Sequence, residues 1–212
     1  MKRITHPKFF LIFLVVSAAA MSVSGQQTNL CSNEPTYDYR TKLKGGYRIV
    51  FKTDTDSMYL YLVKANRRIA ELTGGFSCGL LHKNLGYVAA DFESYFVLVH
   101  SFGSGNPHEV ELIRKSDGKN VLEAANDACW IDANQMRSVF LFSYGCVPKA
   151  NDRIVLLNLK NMKKRYLYFP KSMFSDPEVL GRIEIASISR SNITLRFRDF
   201  NGTASTTRSY KY

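Results

Sequence analysis

The chain has 212 residues, a formal net charge of +11 and four cysteines. This length suits one domain with its own hydrophobic core. The sequence has no CxxC pair, no His-Glu-x-x-His motif, no Gly-x-Ser-x-Gly elbow and no glycine-rich phosphate loop. These absences argue against the common zinc, serine-hydrolase and nucleotide sites, so we expect no metal and no cofactor.

Residues 1–25 have the features of a secretory signal peptide. Lys2 and Arg3 precede an uncharged apolar segment, residues 9–21, which small residues follow. That segment is shorter than the roughly 20 residues of a spanning helix, so we predict cleavage near Gly25 and no transmembrane segment afterwards. Cleavage lowers the formal charge from +11 to +8. We therefore expect a periplasmic or secreted protein with no nucleic-acid partner and some attraction to an anionic envelope surface.

All the cysteines follow the predicted leader, and they are Cys31, Cys78, Cys129 and Cys146. An even number of cysteines in an exported chain is typical of disulfides, and four cysteines allow three connectivities. The segment between Cys129 and Cys146 has the pattern of one hairpin, so we favour that pair. Cys31 and Cys78 would then hold an N-terminal arm, residues 26–45, against the rest of the chain.

Residues 46–212 are predicted to form a single all-β domain, because apolar and polar residues alternate with a period of two. The clearest unit is a strand over residues 109–115, an Asp117-Gly118 turn and a return through Val121. Asp-Gly between two such runs favours a tight primed turn, since both residues adopt positive φ at low cost. Further strands are predicted at residues 47–52, 58–63, 68–72, 85–90, 95–101, 130–131, 139–144, 153–159, 165–169, 183–189, 193–200 and 203–210.

The predicted hairpin turns recur along the chain near Asn66, Gly118, Met162 and Gly202, at intervals of 52, 44 and 40 residues. A period of roughly 40–50 residues with about four strands per unit resembles that of β-propeller blades. The resemblance lies in spacing and turn placement and names no family. We expect an all-β, propeller-like array of about three to four small antiparallel blades, with a β-sandwich or meander of the same hairpins as the alternative.

The residues that a hydrolase would need lie in predicted turns and at a strand end. Asp91 and Asp132 are predicted to occupy equivalent turns, and His100 ends an apolar strand. Two carboxylates facing one cleft, with His82 or His100, would suit hydrolysis of surface or cell-wall glycans. We favour turn stabilisation for Asp91 and Asp132, because aspartate side chains bond the nearby backbone. We assign no catalytic residue, and the hydrolase remains the alternative function.

Basic residues predict a docking surface in two groups, Lys163, Lys164 and Arg165 at a hairpin turn, and Arg196, Arg198 and Arg208 in the last strands. Arg196 and Arg198 share one strand face, which would be an exposed basic stripe if that strand lies at an edge. Such a surface suits an acidic protein or an anionic envelope component, and an ordinary solvated surface is the competing interpretation. Strand tyrosines such as Tyr144, Tyr166 and Tyr168 would add contact area where they are exposed.

Together these features predict an exported, non-catalytic binding module that recognises another exported or envelope protein, as immunity and inhibitor proteins do. A pocket holding two of Asp91, Asp132, His82 and His100 within hydrogen-bond reach would favour the hydrolase. An exposed face of tyrosine and arginine would favour the binding module. A long uncovered edge strand would indicate a structural envelope component.

Overall fold

The computed structural model describes residues 40–54, 56–78, 84–101, 109–122, 128–171, 178–199, 201 and 205–211. The predicted leader, Cys31, His82 and residues 26–39 of the predicted arm lie outside these ranges. The strands are β1 (Arg40–Lys42), β2 (Tyr47–Thr53), β3 (Ser57–Lys64), β4 (Arg67–Ser77), β5 (Tyr87–Asp91), β6 (Tyr95–His100), β7 (Glu109–Arg114), β8 (Ala128–Asn134), β9 (Val139–Tyr144), β10 (Arg153–Asn158), β11 (Lys163–Tyr168), β12 (Ile183–Ile188), β13 (Asn192–Arg198) and β14 (Ser205–Lys211). Short 3-10 turns occupy Lys44–Gly46 and Val179–Arg182, and the described residues contain no α-helix.

The strands form three antiparallel sheets in which neighbours in space are also neighbours in sequence. The first sheet has the order β1-β2-β3-β4, the second β11-β10-β9-β8-β7-β6-β5, and the third β12-β13-β14. The all-β prediction is confirmed. None of the sheets is closed or propeller-like, so the structure fits the sandwich or meander alternative as much as the propeller.

The first sheet packs on one face of β6 and β7. Ile49 and Leu62 share a fully buried cluster with Phe96, Leu98 and Ile113. Because successive strand residues point to opposite faces, this contact uses alternate residues of β6. The residues that alternate with them, at positions 97 and 99, therefore face away from the first sheet.

The second buried cluster lies on that other face of the second sheet. Val97 and Val99 of β6 belong to it, together with Phe140 and Phe142 of β9. All four are inaccessible to water. The described members of this cluster all come from the second sheet and its adjoining turns, so the sheet buries this face against itself. A flat sheet would leave this face open to solvent, so the β5–β7 half and the β8–β11 half fold towards each other. The β7–β8 junction permits this bend, because a single described residue pair joins the two strands.

A third cluster joins β8–β11 to the third sheet. Leu141 and Ile154 pack here against Ile193 and Phe197 of β13, and Val179 from the preceding 3-10 turn completes the contact. Phe140 and Leu141 thus belong to opposite faces of β9, which explains why this strand is buried on both sides.

The predicted hairpin at residues 109–122 forms, but its turn is not the primed type. Gly118 has φ of +72°, whereas Asp117 is not among the residues at positive φ. The chain returns through one isolated bridge, Ile113 with Asn120, rather than through a full strand. A Cβ atom on Gly118 would overlap Ala70 of β4, so this turn packs closely against the first sheet. The position needs glycine both for its positive φ and for this close contact.

The primed geometry occurs instead between β3 and β4. Ala65 and Asn66 both have positive φ, +46° and +64°, which matches the right-handed twist of the flanking strands. The turn predicted at residues 132–134 is also misplaced. Those residues end β8, and the turn follows at residues 135–138, where Ser138 has φ of +56°.

Cys129 and Cys146 are joined by a disulfide, with their Cα atoms 5.3 Å apart. This is the pairing expected from the sequence, and it ties β8 to the segment after β9. Cys78 is also disulfide-bonded, whereas its predicted partner Cys31 lies outside the described residues. The Cys129–Cys146 pair is compatible with an oxidising, exported location. Within the described ranges, no helix has the length and apolar character needed to cross a membrane.

Replacing both Cys129 and Cys146 with serine should lower the free energy of unfolding by about 3 kcal/mol, because the unfolded chain regains the freedom of a closed loop. The two residues are 17 positions apart. Urea denaturation followed by tryptophan fluorescence measures the change. An unchanged midpoint would show that this bond does not stabilise the fold.

Candidate functional site

Lys115 is a lysine buried to 1% exposure at the junction of the first and second sheets. Its Nζ donates hydrogen bonds to the backbone carbonyls of Lys44, at 3.0 Å, and Phe92, at 2.5 Å. It also lies 2.7 Å from Asp91 Oδ1, a close ion pair that lacks the alignment of a hydrogen bond. Asp91 Oδ2 accepts a hydrogen bond from the Lys44 backbone N–H at 2.7 Å. The charges of Lys115 and Asp91 therefore hold the two sheets together.

Asp132 has a similar place at the junction of the second and third sheets. Its Oδ2 accepts a hydrogen bond from the backbone N–H of Ile185 in β12 at 2.7 Å, and its Oδ1 accepts one from Ala133. Asp91 and Asp132 each follow a register shift in their strand. Asp91 and Asp132 thus lie in strands β5 and β8 rather than in the equivalent turns predicted from sequence. The two carboxylates serve different sheet junctions and do not share a cleft.

His100 is held between two acceptors at the end of β6, and its side chain is 13% exposed. Nδ1 lies 3.1 Å from the Asn84 carbonyl and Nε2 lies 3.4 Å from Glu111 Oε2. Both partners present acceptor oxygens, so the imidazolium form can donate to both, whereas a neutral tautomer can donate to one of them. Burial disfavours that charge, but Glu111, the Asn84 carbonyl and the field of Glu109 outweigh it and raise the pKa of His100 above its ordinary value.

The structure does not assemble the residues that the hydrolase alternative needs. Asp91, Asp132 and His100 each bond to different partners, and none of them lines either of the two cavities described below. His82 lies outside the described residues. No group of three or more His, Cys, Asp and Glu side chains in the described ranges has the arrangement of a metal site.

One face of the edge strand β11 carries exposed tyrosines. Tyr166 and Tyr168 are 51% and 62% exposed, and the Arg153 guanidinium lies 4.8 Å from the centre of the Tyr168 ring. The register places Tyr168 opposite Arg153 in β10. A cavity of about 330 Å³ adjoins them and is lined by Tyr144, Asn151, Asp152, Arg153, Val155 and Tyr166. We call Tyr144, Arg153, Tyr166 and Tyr168 the tyrosine face.

The opposite face of β11 borders a second cavity, of about 250 Å³, which we call the cationic pocket. It is lined by Leu156, Asn158, Asn161, Lys163, Arg165 and Arg190. Lys163 and Arg165 come from β11, whereas Arg190 comes from the turn between β12 and β13. Three cations therefore converge where the second sheet meets the third, and none of the described residues that line the pocket carries a carboxylate.

The basic group predicted at residues 163–165 is thus divided between the two faces. Lys164 lies on the side of the tyrosine face, where its Nζ is 3.3 Å from the Tyr144 hydroxyl. Lys163 and Arg165 face the cationic pocket. Sequence reasoning missed Arg190 as their neighbour, because only the packing of the third sheet brings that turn close to β11.

The predicted basic stripe in the last strands is not at an edge. Arg196 and Arg198 do share one face of β13, but this strand lies between β12 and β14. Both guanidiniums pair with Glu184, at 2.6 and 2.7 Å. Arg198 and then Arg196 hold the pKa of the Glu184 carboxyl below its ordinary value despite its partial desolvation. Arg208 lies in the edge strand β14, opposite Leu195.

Comparison with protein-family models finds none that matches the chain, and comparison with curated proteins finds no similar sequence. The candidate sites therefore rest on the contacts of these residues.

Replacing Asp91 with asparagine should lower the free energy of unfolding by about 3 kcal/mol, because the buried Lys115 ammonium loses its counter-charge. Chemical denaturation measures the change. The control is Glu71→Gln, which removes an exposed partner of Arg68 and should alter stability little. Equal midpoints for Asp91→Asn and the unmodified protein would contradict the role given to this ion pair.

Stability should also depend on pH through His100. Because the folded state raises the pKa of His100, it binds the proton more tightly than the unfolded chain. This contribution is complete below the unfolded pKa of about 6.5 and is lost as the pH rises through the folded pKa. Denaturation of the unmodified protein and of His100→Gln between about pH 5.5 and 8.5 should show a stability difference that shrinks as the pH increases. A constant difference would contradict it.

Proposed function

We propose that the protein is an exported, non-catalytic binding module that recognises another exported or envelope protein through the tyrosine face. The observation that carries this proposal is the exposure of Tyr166 and Tyr168 on an edge strand beside Arg153. Tyrosine and arginine dominate the energetic centres of protein interfaces. Tyrosine offers a large contact area at a small cost in conformational entropy.

The surroundings of the tyrosine face favour an acidic partner. Arg153 and Lys164 bring positive charge to the tyrosine face. The nearby carboxylate of Asp152 already accepts a hydrogen bond from the Lys149 backbone N–H. The net positive charge of the chain would attract such a partner from a distance. An inhibitor or immunity-type role is the specific form of this proposal, supported by the size and the predicted export of the protein.

The hydrolase alternative has less support. Asp91 is committed to the Lys115 ammonium and the Lys44 backbone, and Asp132 is committed to Ile185. A general acid or base needs a reachable substrate, and these groups face the neighbouring sheets instead.

A structural envelope role also has less support. β4 is an 11-residue strand at the edge of the first sheet, but its pairing with β3 shifts register at three places. Such irregularities hinder the addition of a strand from another chain. The turn that contains Gly118 packs on Ala70 of β4. At the β11 edge of the second sheet, the charges at residues 163–165 have the same protective effect.

For the architecture, we propose an open stack of four layers, counting the two halves of the second sheet separately. The order of the buried clusters supports this stack. The first sheet packs on β6–β7, the β5–β7 half packs on the β8–β11 half, and the β8–β11 half packs on the third sheet. Propeller blades pack in the same succession. None of these clusters contains described residues from both the first and the third sheet, as a closed ring would require.

The test is capture of a partner from the secretome of the producing cells by the full processed chain, followed by mass spectrometry. Replacing both Tyr166 and Tyr168 with serine should reduce recovery of the specific partner by about tenfold or more, because two contact residues are lost. The control is Met136→Ser, which removes an exposed apolar side chain from the β8–β9 turn. Equal recovery by all three proteins would refute the proposed role of the tyrosine face.

A further inference from the structure

We infer that the cationic pocket binds a tetrahedral oxyanion, a sulfate or phosphate ester group carried by a sugar-sized ligand. The pocket lies on the opposite face of β11 from the tyrosine face. The inference goes beyond the proposed function, because it needs no protein partner.

The three cations of the pocket differ from most of the arginines described above. Arg114 pairs with Asp117, and Arg196 and Arg198 pair with Glu184. By contrast, Lys163, Arg165 and Arg190 have no carboxylate partner among the described residues. Their charges converge from two sheets on one concave site, where an anion would supply the counter-charge.

The two asparagines of the pocket add uncharged donors. Asn158 Oδ1 accepts a hydrogen bond from the Lys160 backbone N–H, and Asn161 Oδ1 accepts one from the Lys163 backbone N–H, both at 3.0 Å. A backbone N–H can only donate, so these bonds fix the amide orientation and leave both NH₂ groups for other partners. The polar lining thus presents N–H donors, which suits the many acceptor oxygens of a sulfate or phosphate group.

The geometry of the donors also favours an oxyanion over a simple halide. Arginine presents paired N–H groups that match two oxygens of a sulfate or phosphate at once, and the pocket has two arginines, Arg165 and Arg190. Leu156 supplies an apolar surface for the carrier. Each water molecule takes up about 30 Å³ in the liquid, so a cavity of about 250 Å³ is several water molecules in size. It therefore has room for the anion together with part of the ring that carries it.

Calorimetric titration of the full processed chain with inorganic sulfate, inorganic phosphate and a heparin hexasaccharide tests this inference. Saturable binding of at least one of them is expected. Tighter binding of sulfate and the hexasaccharide would assign a sulfate ester, and tighter binding of inorganic phosphate would assign a phosphate ester. The absence of saturable binding by all three would overturn the proposal.

The decisive variant is Asn161→Asp. It keeps the oxygen that accepts from the Lys163 backbone, so the turn is preserved, but it replaces an N–H donor with a carboxylate oxygen. Affinity for the bound anion should fall at least tenfold. The control is Arg67→Gln, which lowers the net charge by the same amount at an exposed site on β4 and should change affinity less than twofold. Equal losses in both variants would mean diffuse attraction and would overturn the site.

A second variant keeps the test valid if Asn161→Asp fails to fold, as judged by circular dichroism. Arg165→Gln alters an exposed side chain of the pocket and should produce a comparable loss of affinity, whereas retained affinity would refute the site. The Tyr166→Ser and Tyr168→Ser double variant should bind the anion as the unmodified protein does. Failure of partner capture and failure of anion binding are therefore distinguishable.

Discussion

The buried ammonium of Lys115 is the contact on which the arrangement of the first two sheets depends. A charge withdrawn from water is costly unless it is fully solvated by the protein. Two carbonyls and the Asp91 carboxylate provide that solvation, and they come from both sheets. The ammonium therefore favours one relative placement of the sheets, which apolar contacts such as Ile49 on Leu98 would specify less strictly.

The other ionisable groups at the sheet junctions have a similar structural use. Asp132 bonds the backbone of the third sheet, and His100 joins Glu111 to the loop at Asn84. These residue types attract attention as catalytic candidates, but their partners lie within the fold. The edge strand β11 remains the described surface with the most exposed tyrosine, and its Lys163 and Arg165 have no carboxylate partner among the described residues. Its two faces present different chemistry, because one carries exposed tyrosines beside Arg153 and Lys164 and the other borders the cationic pocket.

Much of the fold was predictable, because strand periodicity is a local property. The alternation in β2 and β13, the apolar run of β6 and the Cys129–Cys146 pairing followed from neighbouring residues alone. Features that depend on distant packing were not predictable. In the sequence, Lys115 is one more polar residue of the strand predicted at residues 109–115, and no local pattern marks it as buried. Its burial depends on how the turn that contains Gly118 packs against the first sheet. The meeting of Arg190 with Arg165 likewise depends on how the third sheet packs on the second.

The central claim is that the ionisable residues at the sheet junctions maintain the fold while the β11 edge contacts the ligand. Hydrogen–deuterium exchange of the full processed chain, alone and with a heparin hexasaccharide, tests it directly. The account predicts slower exchange at residues 158–168 and near Arg190, with no change around Asp91, Lys115 and His100. Protection centred on those three residues, with β11 unaffected, would contradict it.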